Sequence, residues 1–244
     1  VFPACSAIDS DSCFTESEIA ALKSVYDGPT DSAGNQLFYG FPFGGEPDAG
    51  GWSTWTTGGA QDDSLNPYPN LHMFFSAEVM KYMAFHDAAF DYSTYNHDNY
   101  FHDIRTLTPT LSATETDLTE FRDQGGKLLL YQGWSDAAIT ALGTVGYYED
   151  VIANDASARE DARLFMMPGV LHCAGGKGPS TVRFVDALDQ WVESDQAPDD
   201  LPAYFLDENA NPAGSRPLCA YPEEAVYDGS GSDRDPVNFS CSAP

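Results

Sequence analysis

Two short apolar runs in the second half of the chain predict buried strands. Residues 126–130 (GKLLL) follow a glycine and are too few for a helix, and residues 162–167 (ARLFMM) form a second run that a Pro-Gly pair stops. Near-continuous apolar runs are typical of parallel strands that are covered on both faces. Asp136 comes just beyond the carboxyl end of the first predicted strand, and His172 comes just beyond the second.

Apolar residues recur at helical spacing in several other stretches. The first helix is predicted to begin at the N-cap residue Thr15, because glutamates follow in its first turn and a Gly-Pro pair ends the pattern. The predicted helices span residues 15–26, 71–83, 118–124, 140–152 and 180–192. The last of them has a predicted apolar face made of Val182, Val185, Leu188 and Trp191. Residues 154–161 are predicted to form a polar loop, and the proline-rich tail of residues 198–244 to be irregular.

The order of Asp136 and His172 along the chain indicates a hydrolase site. In a doubly wound sheet, the loops at the carboxyl ends of the strands carry the chemistry. An α/β-hydrolase places its catalytic triad in the order Ser, Asp, His, so these two residues match the last two members. Asp136 alone could instead be a helix N-cap, and His172 alone a loop histidine. Their occurrence together on successive strand ends favours the triad.

Three motifs carry a resemblance to a known family: GGKLLLYQGWSDAAI at residues 125–139, RLFMMPGVLHCAGG at 163–176 and RPLCAYP at 216–222. In these motifs the chain resembles the tannase and feruloyl esterase family. The resemblance implies an α/β fold, namely the C-terminal part of an α/β-hydrolase fold with part of an inserted lid domain. We therefore expect residues 1–116 to belong to the lid domain and residues 117–244 to the catalytic domain.

The resemblance also implies a Cys-Ser, Asp, His-Cys arrangement, in which the cysteine before the nucleophilic serine is disulfide-bonded to the cysteine after the histidine. Asp136, His172 and Cys173 match the last two parts. The Gly-Cys-Ser elbow is absent, as is any Gly-x-Ser-x-Gly, and Cys5-Ser6 lacks the glycines that such a turn needs. We therefore expect the C-terminal half of a cleaved precursor, active only with the N-terminal chain, which would carry the serine and be tethered through Cys173.

The chemistry that the resemblance implies is hydrolysis of carboxylic esters through an acyl-enzyme, with no cofactor for catalysis. His172 would accept the serine proton and pass it to the leaving alcohol, while Asp136 would hold the imidazole. Because the family cleaves esters of phenolic acids, feruloyl esters of plant cell-wall material are the expected substrate, with the galloyl esters of tannins as the alternative. Without a nucleophile, the chain could instead be a non-catalytic binding module or an inactive fragment.

Four apolar residues are candidates for substrate binding. Ile139, three residues after Asp136, could line the acyl pocket or equally belong to a helix core. Phe41, Phe43 and Trp52 lie in a segment rich in glycine and aromatic residues that the resemblance assigns to the lid. Their rings could stack on a phenolic acyl group or form the small core of the lid itself. The apolar Phe41 and Phe43 favour a feruloyl group slightly.

Three histidines, His86, His97 and His102, lie among aspartates and raise the hypothesis of a metallohydrolase. Their spacing fits no closed zinc pattern, and no cysteine lies near them, so a polar lid segment is favoured and no metal site is predicted in this chain. The resemblance implies a structural Ca²⁺ in the lid. We expect that ion on the partner chain, because its Asp-Gly-rich loop is absent here.

The composition is strongly acidic, with a net charge of -27 from 38 acidic and 11 basic residues. Such a charge disfavours binding to nucleic acid or to anionic membranes. No apolar run reaches the length of a membrane span. The chain begins at Val1 without an initiator methionine, and Asn238 begins an Asn-Phe-Ser sequon, so a processed, secreted, extracellular glycoprotein is expected. The charge could equally serve solubility alone.

The chain has five cysteines, and an odd number in a secreted protein predicts an intermolecular bond or a free thiol. Cys5 and Cys13 are close in sequence and are expected to pair, although either could reach the partner chain. The resemblance pairs Cys219 with Cys241. It leaves Cys173 for the cysteine beside the absent serine.

Overall fold

The structure is a computed structural model that describes residues 2–5, 13–59 and 67–244. Its strands are β1 (Leu128–Gly133), β2 (Ala162–Met167), β3 (Thr181–Val182), β4 (Asp200–Leu206), β5 (Pro212–Cys219), β6 (Glu224–Tyr227) and β7 (Phe239–Ser242). Its α-helices are α1 (Glu16–Asp27), α2 (Trp52–Trp55), α3 (Leu71–Val79), α4 (Tyr100–Asp103), α5 (Thr108–Leu111), α6 (Thr119–Asp123), α7 (Ala141–Asn154) and α8 (Phe184–Ser194).

Strands β1 and β2 form a parallel pair whose ends are aligned, since Leu128 pairs with Ala162 and Gly133 with Met167. Both strands were predicted, although β1 begins two residues later and runs further than the apolar run. Successive side chains of a strand point to opposite faces. Leu164 therefore packs among residues of α7, and Phe165 among those of β4 and β5; neither exposes any surface. Burial of each such side chain stabilises the fold by about 1.5–3 kcal/mol.

The tail is not irregular, so that prediction was wrong. Strands β3, β4 and β5 form an antiparallel sheet, and a bridge between Phe165 and Ala220 connects it to β2. Residues 200–206 alternate between exposed and buried positions, which is the period of a strand with one covered face. Pro202 and Pro217 lie opposite each other, so both missing amide donors fall at the same position of the ladder.

Helix α8 begins later than predicted, at Phe184. The preceding Thr181–Val182 pairs with β4 instead, because β-branched residues favour the extended backbone of a strand. The buried face of α8 includes Trp191, whereas Val185 is 80% exposed. The predicted apolar face of this helix was therefore wrong at its first two positions.

The remaining helical predictions differ from the structure mainly at their ends. Thr15 caps α1 in a capping box with Glu18, as its position predicted. The helix predicted over residues 71–83 is α-helical as far as Val79 and continues as one π-helical turn, Met80–Ala84. The predicted polar loop before β2 contains a 3₁₀ turn, Ala156–Glu160, which its local hydrogen bonds form.

Two disulfides join Cys5 to Cys13 and Cys219 to Cys241, the pairs that were expected. The second links the end of β5 to β7 and so ties the C-terminal hairpin to the sheet. Cys173 is an exposed free thiol. Across the described ranges, no helix is long and apolar enough to cross a membrane.

Candidate active site

The structure brings Asp136 and His172 into direct contact. The Nδ1 atom of His172 lies 3.0 Å from Oδ2 of Asp136. The aspartate side chain is 3% exposed and the histidine side chain is 35% exposed, so the carboxylate is enclosed while the imidazole remains open on one side. This contact follows from the parallel pairing, because the loops that leave the carboxyl ends of two neighbouring strands start from the same edge of the sheet.

Backbone hydrogen bonds hold the two loops together. The amide of Trp134 donates to the carbonyl of Met167 at 2.9 Å, and that of Ser135 donates to the carbonyl of Val170 at 3.0 Å. Gly133 permits this approach, because a Cβ atom at that position would lie 2.2 Å from the Val170 oxygen. The glycine in the GWSD motif is therefore required by the contact between the loops.

Four groups of the described residues donate hydrogen bonds to the Asp136 carboxylate. The backbone amides of Ala138 and Ile139 donate to Oδ1 at 2.8 and 3.0 Å. The Nε2 amide of Gln132 donates to Oδ2 at 2.6 Å, and His172 contributes the fourth. Asp136 is not the N-cap of α7, since Thr140 occupies that position. Its backbone bonds instead fix the turn that precedes the helix.

The contact with Asp136 defines what His172 can do. A carboxylate oxygen can only accept, so Nδ1 of the imidazole is the donor. In the neutral ring, Nε2 then carries the lone pair, and the side chain is partly exposed. A histidine held in this tautomer by a buried aspartate can act as a general base towards a hydroxyl group.

One wall of the site comes from the first part of the chain. The indole of Trp55 lies edge-on to the His172 ring, with ring centroids 5.4 Å apart. Trp55 also stacks on Phe75 at 6.1 Å and contacts the ring of His72 at 5.8 Å. His72 Nε2 lies 3.0 Å from the carbonyl oxygen of Ala138, to which it donates. Helices α2 and α3 are thereby attached to the loop that carries Asp136.

The sequence pattern did not identify Trp55, His72 or Phe75 as residues of the site. The glycine-rich segment around Trp55 shows no periodic pattern, so the single helical turn of α2, in which Trp55 follows Trp52 by three residues, was not predicted. The helix containing His72 and Phe75 was predicted, but helical periodicity does not reveal which face meets a site that is distant in sequence.

Of the predicted binding residues, two lie beside this wall. Ile139 directly follows the Asp136 turn and is 55% exposed, so it is not part of a helix core. The ring of Phe41 lies 5.6 Å from that of His72. These positions leave both side chains next to the groups that surround His172.

Phe43 and Trp52 belong to an aromatic cluster around Tyr26. Their ring centroids lie 4.2 and 5.2 Å from that of Tyr26, and Trp52 is only 7% exposed. The hydroxyl of Tyr26 donates to Glu46, and burial followed by this contact raises the pKa of the tyrosine. For Trp52 the structure favours the alternative of a small core over direct binding, whereas Phe43 packs on Tyr26 but is 74% exposed and is not part of a core.

Cys173 follows His172 with a φ angle of 63°, a left-handed conformation that is uncommon for residues other than glycine. In the part of the chain that the structure describes, the His172 ring forms its hydrogen bond with Asp136 and not with a serine hydroxyl. Ser135, next to Asp136, is buried. Ser6, the serine that was rejected as a nucleophile because its motif lacks glycines, lies outside the described residues.

The three histidines of the metallohydrolase hypothesis do not converge. His102 contacts Asp103 at 3.1 Å, and the ring of His97 packs against Tyr95. His86 has a positive φ angle of 53°. Within residues 2–5, 13–59 and 67–244, no group of three or more His, Cys, Asp or Glu side chains is arranged to hold a metal ion.

The sequence of this chain is similar to a known family of esterases. A family model described as "Tannase and feruloyl esterase" matches residues 3–242. The chain is 33% identical over 268 residues to mono(2-hydroxyethyl) terephthalate hydrolase of Piscinibacter sakaiensis, covering 95% of this chain and 42% of that protein. It is 28% identical over 203 residues to feruloyl esterase B of Aspergillus niger, covering 75% of this chain and 39% of that protein.

A solved structure gives the same result at the level of the fold. The crystal structure of feruloyl esterase B from Aspergillus oryzae superposes with a TM-score of 0.78 at 23% identity, covering 98% of this chain and 48% of that one. The fold is therefore of the α/β-hydrolase type. The chain spans less than half the length of these three proteins.

Proposed function

This chain belongs to the tannase and feruloyl esterase family, and from that premise we propose that it supplies the aspartate and histidine of a serine-type carboxylic ester hydrolase. The observation that carries the proposal is the 3.0 Å contact between Nδ1 of His172 and Oδ2 of Asp136. It leaves Nε2 of an accessible imidazole free to accept a proton.

In the proposed reaction, His172 Nε2 takes the proton of a serine hydroxyl as its oxygen attacks the ester carbonyl. The resulting imidazolium is stabilised by Asp136 and returns the proton to the leaving alcohol, which leaves an acyl-serine. A water molecule then repeats the attack, with His172 again taking the proton, and the free acid and the serine are released.

The serine of this mechanism is proposed to come from outside these residues, on the N-terminal chain of the same precursor. Two observations support this proposal: the absence of a nucleophile elbow from the sequence, and the share of its relatives that the chain spans. Cys173 is exposed and directly follows His172. A disulfide from Cys173 to a cysteine beside the serine would hold nucleophile and base close together.

The proposed substrate is an ester of a phenolic acid, with feruloyl esters of plant cell walls preferred and galloyl esters as the alternative. An aromatic acyl group could pack between the Trp55 and Phe75 rings on one side and Ile139 on the other. The names of two relatives, both called feruloyl esterase B, support the feruloyl choice.

The division into domains, the Ca²⁺ site, secretion and glycosylation are also proposals. Residues 1–116 would form part of a lid domain, residues 117–244 would complete the catalytic domain, and a structural Ca²⁺ would bind in the partner chain. The two disulfides support secretion. Asn238 is partly buried and its Nδ2 atom donates to the carbonyl of Ser232, so glycosylation would require this contact to open.

The decisive experiment measures hydrolysis of methyl ferulate and methyl gallate by the protein together with the nucleophile-bearing segment. Asp136→Asn should lower kcat by about four orders of magnitude, because the histidine loses the acceptor that fixes its tautomer. Asp228→Asn, which changes an exposed carboxylate in the tail, is the matched control and should keep full activity. Unchanged turnover in Asp136→Asn would exclude the mechanism, and absence of any ester hydrolysis would favour a binding module.

A further inference from the structure

We infer that Gln132 is a positioning residue, which holds the Asp136 carboxylate in the orientation that His172 requires. This inference rests on the proposed function, because it assigns a role within the same acid–base pair. Gln132 lies in strand β1, one residue before the glycine that brings the two loops together. It donates from Nε2 to Asp136 Oδ2 at 2.6 Å, the oxygen that also faces His172.

The surroundings of Gln132 determine the orientation of its amide. Its Nε2 faces two acceptors, Asp136 Oδ2 at 2.6 Å and the carbonyl oxygen of Ile139 at 3.3 Å. Its Oε1 accepts from the hydroxyl of Thr144, on helix α7, at 3.3 Å. If the amide were reversed, its oxygen would face a carboxylate and a carbonyl with no proton between them. The network therefore favours one orientation, in which Gln132 donates to the aspartate.

The two oxygens of Asp136 are held in different ways. Oδ1 accepts from two backbone amides of its own turn. Because both of these bonds end on the same oxygen, they restrain Oδ1 directly and leave the placement of Oδ2 to its own donors. In the described parts of the chain, the donors to Oδ2 are Gln132 and His172. Asp136 is 4% exposed, so water has little access to replace a lost donor. A donor on a strand of the sheet therefore controls the plane of a carboxylate that lies in a loop.

This arrangement separates two roles. Asp136 contacts the imidazole, whereas Gln132 acts on the imidazole only through Asp136. Hydrogen bonds to charged groups are stronger than those between neutral groups, so the loss of this donor should be felt at His172. Removal of supporting residues around metal ligands lowers activity or affinity by roughly 10- to 100-fold, and we expect a loss of turnover in that range here.

The variant that tests the inference is Gln132→Met, which keeps the length of the side chain and removes both amide atoms. Gln124→Met is the matched control. Gln124 carries the same amide, but its Nε2 donates to the carbonyl of Glu120 at the exposed end of α6, away from the site. Both variants should be compared with the unchanged protein after a thermal unfolding curve has established that each is folded.

The first readout is the tautomer of His172, from the ¹⁵N chemical shifts of its ring nitrogens at a pH where the ring is neutral. The unchanged protein and Gln124→Met should carry the proton on Nδ1. Gln132→Met should show an added population protonated on Nε2. A merely structural glutamine would leave the tautomer unaltered, so identical spectra for all three proteins would overturn the inference.

The second readout is kinetic, with methyl ferulate and the nucleophile-bearing segment present. Gln132→Met should lower kcat by roughly 10- to 100-fold with little change in KM, because the donor affects the proton transfer and not the acyl pocket. A change confined to KM would overturn the inference. If no form of the protein hydrolyses esters, the proposed function fails, whereas the tautomer comparison still decides the role of Gln132.

Should Gln132→Met fail to fold, Thr144→Val decides the question. This change removes only the hydroxyl that orients the amide, at 3.3 Å, and keeps the branched shape of the side chain. It should produce the same tautomer shift in a smaller proportion. A tautomer identical to that of the unchanged protein would then count against the inference.

Discussion

The two parts of the molecule, residues 13–116 and residues 117–244, are held together in different ways. In the second part, buried side chains form two clusters on either side of β2. In the described portion of the first part, the buried hydrophobic residues are Trp52, Tyr68, Ala77 and Met80. Large side chains there, such as Phe43 and Phe101, are 74% and 61% exposed. The first part therefore depends more on helix caps and ring contacts than on a common core.

The candidate active site lies where these two parts meet, and each part contributes something different. The Asp136–His172 pair comes from the ends of two packed strands, where backbone hydrogen bonds fix both loops. The aromatic wall comes from short helices with little buried surface around them. Catalytic groups need precise placement, whereas a surface that contacts substrates tolerates adjustment.

The largest expected difference between the two parts concerns core packing. Leu164→Ala should lower the free energy of unfolding by about 2–5 kcal/mol, because Leu164 exposes no surface and its loss leaves a cavity. Leu111→Ala is the same substitution in the first part, at a side chain that is 55% exposed, and should cost less than about 0.5 kcal/mol. Urea unfolding followed by circular dichroism measures both. An equal cost at the two sites would mean that Leu111 is covered in solution and would remove the contrast.

A smaller effect is expected where the first part relies on a helix cap. Asn70 is 7% exposed, accepts from the amide of Met73 at 2.9 Å and donates to the carbonyl of Thr56 at 2.6 Å. Asn70→Ala should lower the free energy of unfolding by about 1–2 kcal/mol, because both backbone groups lose their partner. The control is Asn96→Ala, which removes the cap of an exposed three-residue turn and should cost less than about 0.5 kcal/mol. Hydrogen exchange of α3 amides should rise only in the first variant; exchange that stays unaltered would contradict the importance of the cap.

The difference in packing between the two parts also explains which features could be predicted from the sequence. The apolar runs before Asp136 and His172 predicted two strands, because a strand with two covered faces has a simple pattern. The order of these residues then predicted a site that the structure brings together. In the tail, the prolines obscured an alternation that the structure reveals as β4.

The hydrophobic pattern predicted neither the aromatic wall of the site nor the contact of Gln132 with Asp136. Trp55 lies in a helix of four residues, too short to show periodicity. Gln132 lies in a motif that was recognised, but an amide has no spacing rule that would connect it with a carboxylate four residues later. Their roles depend on contacts between side chains, which the hydrophobic pattern does not encode.

The smallest expected effect concerns charge in the well-packed part. Asp161 lies 2.8 Å from both Arg122 and Lys127, and so links α6 and the start of β1 to the loop before β2. Burial raises the pKa of Asp161, but the hydrogen bonds from Lys127 and Arg122 outweigh it, and the net pKa lies below the ordinary value.

A carboxyl whose pKa is lowered by folding stabilises the folded state above its unfolded pKa, which is about 3.9 for aspartate. That stabilisation is lost as the pH falls through the lower folded value. Asp161→Asn should therefore reduce the free energy of unfolding by about 1 kcal/mol at pH 6, and the difference from the unchanged protein should shrink below about pH 3.

The control is Asp199→Asn, at a side chain that is 89% exposed and 3.7 Å from Arg163, and its effect on the free energy of unfolding should not depend on pH in this way. Urea unfolding at both pH values distinguishes them, and a difference for Asp161→Asn that persists at low pH would mean that its contribution comes from packing rather than from charge.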